Sequence, residues 1–111
     1  QEGNSTISVV EQPLDLTTLA LKYQNFTDNF LKESASSEDP FFLYMPFSHV
    51  HTTAANQPEK QYAGCAWQNT TTRGPFGDAL AEVDWQVGEM IASLEKYNLR
   101  DNTLILFTGD N

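Results

Sequence analysis

The stretch that most constrains this chain is 40–51, PFFLYMPFSHVH, a continuous apolar run that stops at two histidines. An apolar run of this length and composition is what a strand buried on both faces requires, and polar groups at its carboxyl end are where open α/β sheets place their chemistry. A second such run, 103–108 (TLILFT), leads into Gly109, Asp110 and Asn111. Between the two lies one helical pattern. The order strand, helix, strand predicts a βαβ unit with parallel strands in one sheet and a right-handed crossover. Both polar clusters then leave the sheet on the same edge, which lets His51 and Asp110 meet across a long sequence separation.

The rest of the chain supports this frame. Asp15 is placed as an N-cap for a first helix in which Leu19, Tyr23, Phe26 and Phe30 form one apolar face. That helix is expected to end near Glu33, since SASSEDP is turn chemistry and Pro40 disfavours helix before it. Residues 48–77 show no sustained period, and a loop of this length inside a compact domain points to a folded functional wall. The second helix is expected over 78–97, with Leu80, Val83, Val87, Met90, Ile91 and Leu94 as its apolar stripe. Asp78 and Glu82 suit its positive end and Lys96 its negative end. Asp84 interrupts the stripe, so it either lies at the stripe's edge or is buried with a partner, for which Arg73 is the candidate.

Bulk properties remove some classes of function. The net charge is −9, with 6 Lys and Arg scattered along 111 residues, which does not supply the clustered cations that bind nucleic acid. No apolar stretch approaches the roughly 20 residues that cross a bilayer. The start at Gln1 and the end just past a strand lead us to expect an internal fragment of one longer protein, truncated at both ends. Three acceptor motifs for N-glycosylation, at Asn4, Asn25 and Asn69, point to the secretory route and thus to a lysosomal or extracellular protein.

Candidate chemistry is sparse. His49 and His51 would share one face in an extended chain, and each either reaches a pocket or simply hydrogen-bonds the long loop. A zinc site lacks further His or Cys ligands. Asp110 and Asn111 offer hard oxygen donors suited to calcium or magnesium, with a plain turn as the competing reading. Cys65 has no basic neighbour to stabilise a thiolate, so a structural or disulfide role is favoured over a nucleophilic one.

The blocks PFFLYMPFSHVHT and RGPFGDALAEVDWQVGEMIASLEKYNLRDNTLILFTGDN resemble the middle of the sulfatase family, in particular its arylsulfatase A and G type. The resemblance covers 39–111 and implies an alkaline-phosphatase-like α/β sandwich that hydrolyses sulfate esters of small molecules or glycans. It further implies a formylglycine nucleophile, made from a cysteine in a Cys-x-Pro/Ala-x-Arg motif, and a calcium ion holding the sulfate. His51 matches the family histidine that hydrogen-bonds the sulfate or leaving-group oxygen, with His49 beside it, and Asp110 and Asn111 match metal ligands. Cys65 does not match the formylglycine position, because Trp67 and Asn69 stand where the motif requires Pro or Ala and Arg. Thr53 replaces a frequent proline. The nucleophile is therefore expected outside these residues, and the 111-residue chain alone is expected to be inactive. A phosphatase or phosphodiesterase on the same scaffold, or a non-catalytic secreted glycoprotein, is the alternative.

Overall fold

A computed structural model describes residues 8–52 and 61–109. Its regular structure is helical: a 3₁₀ turn at Leu16–Thr18, helix α1 over Leu19–Ser34, helix α2 over Gly74–Lys96, and a second 3₁₀ turn at Arg100–Asn102. Asp15 caps the entry as expected. Its Oδ1 accepts from the Thr17 N–H at 2.9 Å and from the Thr17 hydroxyl at 2.7 Å, satisfying a donor that a helix start leaves free. At the far end Ser34 donates to the Phe30 carbonyl at 2.9 Å, and the turn residues before Pro40 end the helix.

Helix α2 begins at Gly74, earlier than the expected Asp78, with Pro75 in its first turn, where a missing N–H costs nothing. It ends in a Schellman arrangement. The Leu99 N–H reaches the Leu94 carbonyl at 2.8 Å and the Asn98 N–H reaches that of Glu95 at 3.1 Å. Asn98 takes the left-handed conformation, φ 58°, that this cap needs.

The two helices pack against each other and run the same way. Near their starts, Gly64 brings the Thr17 carbonyl and the Glu82 carboxylate together. Farther along, Asp28 accepts from Ser93 at 2.9 Å and from Tyr97 at 3.0 Å, with Lys96 at 3.2 Å. On α1 the buried residues are Leu19, Ala20, Thr27 and Leu31, whereas Phe26 is largely exposed. The apolar face is thus rotated from the expected one toward the side that carries Ala20, which is 1% exposed. On α2 the buried side includes Asp78, Glu82 and Gln86 at intervals of one turn. Asp84 is exposed at the stripe's edge, and Arg73 lies over the Phe76 ring instead of pairing with it.

The expected pair of parallel strands is not formed among the described residues. Segments 41–47 and 103–109 are extended in sequence pattern but have no ladder hydrogen bonds, and a strand exists only by pairing. The pleat is nevertheless visible in 41–47. Phe41, Leu43, Met45 and Phe47 turn inward, while Phe42 and Tyr44 are 86% and 76% exposed. Phe41 meets Phe30 of α1 edge-on at 5.8 Å, and Phe47 lies 6.4 Å from Phe107 of the other segment. The carboxyl ends of the two apolar runs therefore do come together.

Candidate active site

The site forms where the first apolar run turns. The His51 N–H donates to the Ser48 carbonyl at 3.2 Å, so the chain is not extended here and the two histidines part. His49 goes inward. Its side chain has no exposed surface, and its Nε2 lies 2.8 Å from Oε2 of Glu82, itself buried in α2. Because a carboxylate only accepts, it is Nε2 that carries a hydrogen toward Glu82, and Nδ1 lies on the other side of the ring. That Nδ1 is buried and has no hydrogen-bond partner among the described residues.

His51 faces outward and is exposed. Its Nδ1 donates to the Thr52 carbonyl at 2.7 Å, which leaves Nε2 pointing away from the backbone for a ligand. The two imidazoles thus turn opposite nitrogens to their protein acceptors, one ring locked into the protein and one presented.

The loop 61–73 forms the wall behind His49. Tyr62 packs its ring 4.6 Å from the imidazole and donates to the Ser48 hydroxyl at 2.6 Å. Burial pushes the Tyr62 phenol up, against the opposing effect of the Ser48 contact, which keeps it a neutral donor. Gly64 gives its N–H to the same Glu82 oxygen at 2.9 Å. Farther along, the N–H groups of Asn69, Thr70 and Thr71 converge on the Asp78 carboxylate at 2.7, 3.2 and 2.9 Å. Burial opposes ionisation of Asp78, but these donors outweigh it and hold its carboxyl below the usual range. Gly77 is required here, since a Cβ on it would lie 2.6 Å from the Arg73 Cβ.

Of the residues expected at the site, Asn4, Asp110 and Asn111 lie outside the described residues. Asn25 and Asn69 are exposed. Cys65 is an exposed free thiol. Among the described residues no three acidic, His or Cys side chains lie close enough to hold an ion. Asp110 and Asn111 follow directly from the segment that ends beside Phe47. Their oxygens suit a hard cation in kind, while calcium takes six to eight such ligands, so a complete set needs donors beyond these two. Glu82, Tyr62 and Gly64 were missed as site residues. The available signal was the repeat of Asp78, Glu82 and Gln86 at i, i+4 and i+8, which puts three polar groups on one helix side.

The sulfatase family model matches residues 2–111, and the chain belongs to the sulfatase family. It is 35% identical to rat steryl-sulfatase over 94% of the chain, and 33% identical to human arylsulfatase A over 96%. Dog arylsulfatase G is 33% identical over 95%. The chain spans 16% to 20% of the length of these curated relatives. No solved structure gives a significant match.

Proposed function

We infer that the protein is a hydrolase of sulfate esters and that His51 is the group of this segment that faces the reacting sulfate. The observation that carries the reading is the presented Nε2 of His51. It is exposed and oriented through the Nδ1 contact with Thr52, at the end of an apolar run beside the segment that delivers Asp110 and Asn111. In its protonated form this nitrogen donates a hydrogen bond to a sulfate oxygen or to the leaving oxygen as charge develops there, where a fixed donor is worth most.

Asp110 and Asn111 are proposed as ligands of calcium, with magnesium as the alternative. A bound calcium would neutralise charge on the sulfate oxygens. The chain's own part would be to supply these two oxygen donors and His51 after two apolar segments whose Phe47 and Phe107 rings lie 6.4 Å apart. The nucleophile, a formylglycine by family resemblance, is assigned to residues beyond these 111. The extended segments 41–47 and 103–108 are assigned as strands of an alkaline-phosphatase-like α/β domain. Family membership supports that fold, and the period-two burial of 41–47 agrees with it. The exposed Asn25 and Asn69, with Asn4, are proposed glycosylation sites of a protein of the secretory pathway, lysosomal or extracellular.

The test is steady-state kinetics of the protein at its full expressed length on an aryl sulfate. His51→Ala is expected to lower kcat about a hundredfold or more, the usual worth of a positioned proton donor. A variant that turns over as fast as wild type rules the assignment out.

A further inference from the structure

Glu82 is a carboxylate with almost no exposed surface, two turns inside α2, and nothing in the reaction described above uses it directly. Its Oε2 accepts from His49 Nε2–H at 2.8 Å and from the Gly64 N–H at 2.9 Å. Its Oε1 lies so close to the Gly64 Cα that a methyl group there would come within 2.5 Å of it and 3.0 Å of the Thr17 carbonyl oxygen. One side chain therefore joins three parts of the molecule: the histidine segment, the loop and the helix pair. Burying a carboxylate is costly unless it is paired and hydrogen-bonded. A side chain that only filled space here would be better apolar.

We propose that Glu82 is a positioning residue for His51, acting through His49. The inference rests on the reading that His51 faces the sulfate, and it adds what sets that histidine's place. The turn 48–51 is held at two points. Tyr62 fixes Ser48 at 2.6 Å, and Glu82 fixes the ring of His49, in one tautomer, against α2. His51 lies two residues farther and is tied to Ser48 through its own N–H at 3.2 Å. With both anchors in place the exposed imidazole leaves a rigid base, and a shift of that base moves the proton donor relative to the sulfate. Displacements of about 1 Å at a reacting group cost up to about a hundredfold in rate.

The experiment uses the protein at its full expressed length. It compares wild type, Glu82→Gln, Gly64→Ala and His51→Ala on an aryl sulfate, together with ¹⁵N-histidine NMR spectra that report ring tautomers. Glu82→Gln keeps the shape but weakens the acceptor. Gly64→Ala keeps the carboxylate and displaces it, so it reads the same contact if the first variant folds poorly. Both variants are expected to lose about tenfold to a hundredfold in kcat, with KM changed by less than about twofold. The His49 signal is expected to move from a fixed Nε2–H form to a mixture. Folded variants that keep the wild-type kcat, lose only in KM, or leave the His49 tautomer unchanged overturn the proposal. Equal rates for His51→Ala and wild type overturn the underlying reading of the site, and the role of Glu82 in it, even where the NMR change at His49 is seen.

Discussion

Gln86 shows how far single residues of this chain depart from simple burial rules. It is 1% exposed, and neither its amide nitrogen nor its amide oxygen has a hydrogen-bond partner among the described residues. An unmade hydrogen bond at a buried polar group costs about 1 to 3 kcal/mol. Gln86→Met keeps the length and removes the polar atoms, so it is expected to raise stability by about 1 kcal/mol, read as a higher denaturant midpoint at unchanged slope. A lower midpoint would mean that the amide is satisfied in solution. His49 is the other instructive residue. Its alternation with His51 was legible in the sequence, but the turn that separates them was not, because it depends on a carboxylate from a helix far along the chain.

At the scale of elements, helix limits were largely set by local chemistry and were legible for that reason. The Asp15 cap, the turn residues before Pro40 and the left-handed Asn98 each act within a few residues. The helix faces were less legible. On α2 the apolar stripe is real, yet Leu80, Val83 and Val87 line a groove with Phe107 while the polar line of Asp78, Glu82 and Gln86 is buried. Two carboxylates of these helices act as clasps. Asp28, held down chiefly by the Ser93 hydroxyl and then by Tyr97 and Lys96, ties α1 to the end of α2, and Asp78 ties the loop to its start. A carboxyl whose folded pKa lies below its unfolded value, about 3.9 for Asp, stabilises the fold fully above that value. The contribution is lost as pH falls through the folded pKa. Stability is thus expected to drop below about pH 4, and Asp78→Asn to be less stable at neutral pH with a shallower acid limb. Unfolding midpoints between pH 7 and pH 2 check this, and parallel acid limbs for the two proteins would show that Asp78 is no clasp.

On the scale of the whole molecule, the described residues hold a helix pair with two extended apolar segments laid beside it, and much apolar surface is left open. Phe42, Tyr44, Leu104 and Leu106 are each more than three-quarters exposed. The apolar runs were legible because residue type alone marks them. Pairing was not, since a strand is defined by a neighbour and no ladder partner lies among the described residues. The site divides the same way: His51 was read from its position after an apolar run and from family resemblance, while its support by Glu82, Tyr62 and Gly64 is a matter of tertiary contact. The proposed activity is hydrolysis of sulfate rather than phosphate esters. The most direct measurement is kcat/KM of the protein at its full expressed length for an aryl sulfate and for the matching aryl phosphate, in the presence of calcium. The sulfate ester is expected to be the better substrate, and preferential hydrolysis of the phosphate ester, or hydrolysis of neither, would rule the proposed function out.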